Sequence, residues 1–356
     1  MNEEAGTSGS TPARPATDAF PKGAGHAKIP IAPRGQKRPP TQWRFAIIWI
    51  AFAFLLVISG LIVPRSLIPS NFLAVIPLAA FLAIASMGQA LVLMARGIDL
   101  SVPAIVTLSS TLLLGISGGS DSGLVLAIIV ALVAAMLIGL LNGVLVGLLQ
   151  LNSLIVTLAV GAMLSGVTLW YRQGLPAESR VPQALADWGG SKPLGINVSV
   201  WVALFLVLGL TTILRRTIAG RHFSAVGANP RAAHVAGISV AVHQIAAFVS
   251  AAFLYGVVGI LLSAFIRNPT LDVGNPYLLA PIAAAVLGGT AMSGGIGSMI
   301  SIAGAALFLT HLGQMLKMVG MPTSVQLIIQ GVAIALGMGL SQFRFALAAI
   351  FDRRVK

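Results

Sequence analysis

The chain has 356 residues, of which 57% are hydrophobic and only 9% are charged, and its mean hydropathy is +0.94. About 25% of the residues in a soluble globular domain are charged, so this composition excludes a water-soluble body of this size and indicates an integral membrane protein. The formal net charge of +13 does not indicate nucleic-acid binding, because the basic residues lie at the chain ends and in a few connections between uncharged runs.

Residues 1–42 are polar, rich in Pro, Gly and Ala, and dotted with Lys and Arg. Such a segment buries too little apolar surface to offset its conformational entropy, so we predict a disordered, basic cytoplasmic tail. It is not a signal peptide, since the first apolar run begins only near Trp43 and is long enough to span a bilayer. A second basic cytoplasmic tail is predicted for residues 343–356.

Ten apolar segments follow, each close to the roughly 20 residues with which a helix crosses a bilayer. They are residues 43–63, 72–95, 101–117, 123–149, 152–171, 199–218, 242–266, 276–293, 297–316 and 323–342. We therefore predict an all-α fold, a polytopic transmembrane helix bundle of about ten spans. The third segment and the eighth and ninth are short or interrupted by glycine, which favours broken helices or re-entrant segments.

Ten spans place both chain termini on the same side of the membrane. With both termini inside, 16 of the 22 Lys and Arg residues fall on the inner side and 6 on the outer side. Cytoplasmic loops carry an excess of Lys and Arg, so we predict that both termini are cytoplasmic. The longest inner connection, residues 215–241, and the longest outer connection, residues 172–198, are then the natural docking surfaces for soluble partners.

The connection after the second span contains Asp99, which is the only acidic residue close to a span in the body of the protein. Asp99 or Ser101 can cap the third helix, with Pro103 in its first turn, and Arg96 can pair with Asp99. Alternatively, Asp99 and Ser101 line the path of a solute, since an acid at membrane depth usually faces a cavity or a partner. Asn142, beside glycines at the end of the fourth span, can bond across a close helix contact or contact a solute.

In the inner connection, Asn229 can cap a short helix, Pro230 occupies its first position and Gly237 ends it. A small, alanine-rich helix on the inner side suits insertion into a groove on a partner protein. The alternative is a helical connector without a partner.

The eleven residues 287–297 include five glycines and cannot form a stable isolated helix. Bent backbone at membrane depth is tolerated only when it is buried in protein or lines water, so this stretch is a candidate part of the solute path; a tight inner hairpin is the alternative. Interruptions at comparable places in the two halves of the chain, near Gly97 and Gly294, are also typical of internal repeats. The candidate residues in this stretch are Gly288, Gly289, Thr290, Gly294 and Gly295.

Several kinds of catalytic and metal site are excluded by the sequence. It has no P-loop motif, no Ser/His/Asp or paired-carboxylate constellation, no cysteine, and five histidines without ligand spacing. We therefore predict no catalytic residue, no metal site and no cofactor held by this chain.

Four motifs, taken in their order and spacing, resemble those of the permease subunits of bacterial ATP-binding cassette (ABC) importers of the ribose/xylose/autoinducer-2 type. The resemblance covers roughly residues 43–342. The motifs are residues 97–102, the Gly-Leu-Leu-Asn-Gly run ending at Gly143, residues 227–238 and residues 287–295.

This resemblance implies two permease chains, as a homodimer or heterodimer, in the bilayer of the bacterial inner membrane. It also implies a cytoplasmic ABC ATPase that binds the ATP and a periplasmic sugar-binding protein that delivers the solute. Residues 43–342 would form the permease domain, and the short helix in the coupling loop 215–241 would seat in the ATPase. The residues implied in this coupling are Gly227, Asn229, Arg231, Ala232, Ala233 and Gly237. Relatives often carry an acid where Arg231 stands, so the ionic partner in the ATPase is expected to differ.

The predicted function is therefore a translocation path for a monosaccharide or similar small polyol, without enzymatic activity. The alternatives are an ABC permease for amino acids or nucleosides, and an ion-coupled secondary transporter. A secondary transporter is expected to carry acids or cation-ligating groups inside its spans, and here only Asp99 qualifies. A membrane enzyme or a structural subunit is the remaining class, and no reactive constellation supports the enzyme.

Overall fold

The computed structural model describes residues 42–176, 179–322, 324–326, 328–332 and 335. The predicted tails and most of the tenth predicted span lie outside these residues. The described parts contain helices and no β-strand, which confirms the all-α class. The helices are α1 (Gln42–Ile62), α2 (Pro69–Met94), α3 (Val102–Ser117), α4 (Leu124–Gly147), α5 (Ser153–Gln173), α6 (Gln183–Gly190), α7 (Val198–Arg216), α8 (Ile218–Ala228), α9 (Pro230–Val235), α10 (Val240–Ile266), α11 (Ala280–Leu287) and α12 (Met299–Met318).

Six of these helices, α2, α4, α5, α7, α10 and α12, are long and apolar enough to cross a membrane. Three shorter apolar helices lie within α1, at α3 and at Asn275–Leu287. These nine coincide with the first nine predicted spans, because each apolar run is bounded by glycine, proline or charged residues that end a helix.

Two predicted spans are too short to cross a bilayer as helices. The 16 residues of α3 and the 8 residues of α11 rise about 24 Å and about 12 Å, against a hydrocarbon core of about 30 Å. The ninth predicted span, in contrast, is the uninterrupted 20-residue helix α12, and the glycine-rich stretch lies before it. The expected breaks are therefore found in the third and eighth segments and not in the ninth.

The centre of the bundle is α2, whose residues from Ala79 to Met94 are all buried. It packs against α10, α11 and α12, while α10 also packs against α3 and α4. The contact between α4 and α10 is close, because a Cβ at Gly139 would lie 2.6 Å from the Ala252 Cβ and from the Phe248 carbonyl oxygen. Helices α4, α5 and α7 expose most of their leucine-rich surface, as suits a chain that is solvated by lipid.

The bundle has two ends, which we name after the short helices that they carry. At the α9 side, α2, α4 and α7 end, α10 begins, and α8 and α9 connect α7 to α10. At the α6 side, α6 connects α5 to α7, and α3 and α10 end.

Residues 267–279 turn back into the bundle from the α6 side and lead through α11 to the α9 side. We call them the re-entrant segment because they re-enter the bundle, although together with α11 they cross it. Near the end of α10, Ser263 Oγ lies 2.8 Å from Ser110 Oγ of α3. The chain then returns to the first turns of α3, where the Gly274 N–H donates to Thr107 Oγ1 at 3.2 Å and the Gly274 Cα lies against the Pro103 carbonyl. Ser110 and Pro103 are about 10 Å apart along the α3 axis, so the segment runs about this far back into the bundle. Apart from a 3-10 turn at Asn275–Tyr277, the segment is not helical.

Candidate functional site

Helix α9 is the short helix predicted in the inner connection. The Asn229 Oδ1 accepts from the Ala232 N–H at 3.1 Å, Pro230 stands at the first helical position, and Gly237 follows the helix with φ +79°. This geometry confirms the predicted cap and stop, although the sequence did not predict the preceding helix α8. Ala233 is buried, whereas Val235 is 89% exposed. The remaining exposed side chains of α9 are those of Arg231, Ala232 and His234.

Directly before α9, three backbone segments meet in what we call the glycine joint: Met94 at the end of α2, Gly227 near the end of α8, and Gly294 and Gly295 before α12. The Gly295 N–H donates to the Met94 carbonyl oxygen at 2.9 Å. A Cβ at Gly227 would overlap that same carbonyl, so only glycine permits this approach. Gly294 and Gly295 have φ of +91° and +79°, which L side chains rarely adopt. The joint therefore places the segment leading into α9 in direct backbone contact with both predicted interruptions.

The Arg96 side chain connects the end of α2 to α8 at the glycine joint through two hydrogen bonds. Its Nε donates to the Gly227 carbonyl at 2.7 Å, and its Nη2 donates to the Ala228 carbonyl at 2.6 Å. Arg96 has φ +67°, a strained conformation for a residue other than glycine, and such strain persists where surrounding contacts determine it. The predicted Arg96–Asp99 ion pair is wrong, since within the described residues the guanidinium reaches α8 instead.

Asp99, Ser101 and Asn142 form one buried polar cluster. The Asp99 Oδ1 accepts from the Ser101 N–H at 2.8 Å and from the Ser101 Oγ at 2.5 Å, and the Asn142 Nδ2 donates to Ser101 Oγ at 3.0 Å. All three residues are fully buried. Asp99 thus closes the turn that precedes α3, while Asn142 bonds across from α4.

The backbone of the turn before α3 is satisfied by side chains of neighbouring helices. Ser153 Oγ and Thr157 Oγ1 of α5 accept from the Ile98 and Leu100 N–H groups at 3.1 and 2.9 Å. With its Nε2 facing the Asp99 carbonyl, the Gln89 amide of α2 donates to that oxygen at 3.0 Å and accepts from the Asp99 N–H at 3.2 Å. This turn is therefore a fixed link between α2, α5 and the glycine joint.

The remaining predicted residues lie between α11 and the joint. Gly288 follows the last residue of α11 and packs against Ile302, Gly289 has φ +87°, and the buried Thr290 donates its N–H to the Ala285 carbonyl at 3.0 Å. None of the eight predicted path residues lines either of the two cavities described next. Their role in the solute path therefore stays a prediction.

Two cavities adjoin the interrupted helices. One, of about 370 Å³, lies on the α9 side beside Arg96 and is bordered by Gln150, Asn152 and Gln244. The other, of about 220 Å³, lies between α3, α5 and the re-entrant segment.

The sequence did not indicate the smaller cavity, since its residues come from three separate segments. The sequence contains one weak signal for it, the spacing of Ser165 and Thr168. These two residues are three positions apart in an apolar helix, so their hydroxyl groups lie on the same face. Arg96 was noticed but assigned to the wrong partner.

The model of the family described as "Branched-chain amino acid transport system / permease component" matches residues 71–337. This range includes the glycine joint, the buried polar cluster and α9. The chain belongs to this family. The permease is thus a multi-pass protein of the inner membrane, in agreement with the six helices among the described residues that are long and apolar enough to cross a membrane.

Curated relatives match the permease over most of its length. The ribose import permease protein of Bacillus subtilis is 33% identical over 300 residues, which are 84% of this chain and 92% of that protein. That of Escherichia coli K12 is 31% identical, covering 81% and 90%. The L-arabinose ABC transporter permease protein of Azospirillum brasilense is 30% identical, covering 83% and 86%. No solved structure matches the permease significantly.

Proposed function

We propose that this chain is the membrane-spanning subunit of an ABC importer and forms the translocation path for a monosaccharide or a similar small polyol. The observation that carries the proposal is the glycine joint, which connects the exposed helix α9 to the interrupted centre of a bundle belonging to the permease family. An exposed helix fixed in this way can transmit a displacement from a soluble partner to the core.

The choice of a sugar follows from the relatives, whose names specify ribose and L-arabinose. Amino acids and nucleosides as solutes are not favoured by these relatives. An ion-coupled mechanism is not favoured either, because the buried Asp99 has an ordinary role in closing a turn.

The partners follow from the family. A cytoplasmic ABC ATPase holds the ATP, so this chain needs no nucleotide site, and a periplasmic sugar-binding protein delivers the solute. A second permease chain, identical or related, completes the membrane unit. The coupling loop 215–241 contacts the ATPase through α9. Asn229, Arg231, Ala232 and Ala233 shape this helix, Gly237 follows its end, and Gly227 of α8 connects it to the glycine joint.

The topology has ten spans between cytoplasmic tails at residues 1–42 and 343–356. The nine apolar helices and the apolar run 323–342 support this number. The α9 side is then cytoplasmic, and the α6 side faces the periplasm. In the transport cycle, ATP binding displaces α9 and biases the bundle between inward-open and outward-open packings.

A crosslinking experiment tests the proposed contact. The chain has no cysteine, so Val235→Cys introduces a single thiol. In the complete transporter we expect a thiol-specific, photoactivatable crosslinker on this residue to capture the ATPase. Leu194→Cys is the matched control, because Leu194 is equally exposed, at 87% against 89%, but lies on the α6 side. Capture of the ATPase from Leu194 and not from Val235 would contradict the proposal.

A further inference from the structure

The cavity between α3, α5 and the re-entrant segment has an uncharged, partly hydroxylated lining. Thr107, Ser165, Thr168 and Asn275 provide its polar groups, and the rest of the lining is apolar. Its volume of about 220 Å³ corresponds to roughly seven water molecules, which is the size class of a small polyol.

The hydroxyl groups of the cavity offer complementary hydrogen bonds. Thr107 Oγ1 donates to the Pro103 carbonyl at 2.8 Å, and Ser165 Oγ donates to the Gly161 carbonyl at 2.9 Å. The Ser165 oxygen therefore keeps lone pairs with which to accept from a solute, and Thr107 Oγ1, which also accepts from the Gly274 N–H, keeps one. The Thr168 Oγ1 has no partner among the described residues, although Thr168 is only 2% exposed.

A buried hydroxyl without a partner is unusual in a folded protein, since a hydrogen bond normally satisfies such groups. Valine has nearly the same shape and would fill this position without an unpaired polar atom. A ligand or water that bonds to Thr168 in the cavity removes the discrepancy.

The backbone beside the cavity leads to the same conclusion independently. The re-entrant segment runs about 10 Å back into the bundle without regular helix. At membrane depth, non-helical backbone occurs where it is buried in protein or lines a water-filled cavity. Leu271 and Asn275 of this segment line the cavity.

We propose that this cavity is a solute subsite for a neutral, polyhydroxylated molecule, with Thr168 exchanging a hydrogen bond with one of its hydroxyl groups. The inference rests on the proposed function and specifies where the solute passes on the α6 side. An uncharged lining suits a sugar and would leave the two charges of an amino acid unpaired.

Transport by the complete importer, reconstituted in vesicles with radiolabelled D-ribose and, separately, L-arabinose, tests the role of Thr168. We expect Thr168→Val to lower uptake at subsaturating sugar by roughly tenfold, the usual effect of one lost hydrogen bond to a ligand, and Thr168→Ser to restore it. Thr211→Val is the matched control, since Thr211 of α7 also has a buried, unpartnered hydroxyl but does not line the cavity.

Thermal unfolding of the same variants separates a ligand role from a structural one. Removing an unpartnered hydroxyl leaves Tm unchanged or raises it, so we expect reduced uptake by Thr168→Val without reduced Tm. Unchanged uptake by this variant, or a loss of uptake together with a lowered Tm, would overturn the subsite.

Thiol labelling tests the cavity separately from ATP-driven transport. In the cysteine-free chain, Thr168→Cys should react with a membrane-impermeant methanethiosulfonate applied from the α6 side, and saturating D-ribose or L-arabinose should slow the reaction. Thr211→Cys should remain unlabelled. Absence of labelling overturns the subsite. Labelling and protection without ATP-driven uptake by the unmodified chain would instead refute the proposed function.

Discussion

The Asp99 carboxylate is fully buried and accepts two hydrogen bonds from a single residue, Ser101. Its other oxygen, Oδ2, has no partner among the described residues. One side of the carboxylate therefore holds the turn before α3, and its other side makes no hydrogen bond within the part of the chain that the structure describes. An amide side chain can supply the same acceptor oxygen without the charge.

We expect Asp99→Asn to fold and to keep most of its ATP-driven uptake, because the amide oxygen replaces Oδ1. Asp99→Ala should lose about 1–3 kcal/mol in the free energy of unfolding, since the Ser101 N–H loses its acceptor in a buried position. Unfolding in detergent and uptake in vesicles measure the two effects. Asp187→Ala, at an exposed position of α6, should change stability by less than about 0.5 kcal/mol.

An ion-coupled transporter would behave differently, because the acid itself would carry the coupling. Uptake by Asp99→Asn that no longer responds to a proton or sodium gradient, where the unmodified chain does respond, would favour that mechanism over the ABC importer.

At the scale of elements, helix positions followed from the sequence more closely than their contacts did. The apolar runs predicted α1 to α5, α7, α10 and α12 to within a few residues, since in lipid the backbone must satisfy its own hydrogen bonds. The cap of α9 was also predictable, because Asn229 and Pro230 act locally. The re-entrant segment and the partner of Arg96 were not predictable, since both depend on residues far away in the chain.

The link between α2 and α8 through Arg96 yields a prediction about coupling. Arg96→Ala removes both hydrogen bonds to the α8 carbonyls, so we expect a folded transporter in which ATP hydrolysis responds about tenfold less to the sugar-loaded binding protein. ATPase assays on the reconstituted complex measure this response. Arg65→Ala, exposed in the turn that follows α1 and outside the coupling loop, is the control and should respond normally. Equal responses from both variants would show that Arg96 does not transmit the signal.

On the scale of the whole molecule, the distribution of burial distinguishes an inner group of helices from an outer one. Helices α2, α10 and α12 are mostly buried, whereas α4, α5 and α7 expose most of their apolar surface. Such an apolar surface is suited to contact with lipid or with a second permease chain and would be unfavourable in water.

The family could be recognised from the sequence because its motifs lie at the glycine joint and the buried cluster, where the geometry restricts which residues are allowed.

The proposed ten-span topology predicts the accessibility of both chain ends. Single cysteines placed near either terminus should react with an impermeant maleimide only after the inner membrane is permeabilised, because the proposed topology places both tails in the cytoplasm. Leu194→Cys should react without permeabilisation, since it lies on the α6 side. A reaction of only one terminus in intact spheroplasts would mean an odd number of spans.

The glycine joint has a mechanical consequence for the proposed importer. Side chains can absorb a small shift by changing rotamer, but the Gly227, Met94 and Gly295 backbones touch with no side chain between them. The contact between the segment that precedes α9 and the end of the central helix α2 is therefore stiff. The stroke of the ATPase at α9 should therefore reach the end of α2 almost undiminished, so that a short stroke is enough to switch the bundle.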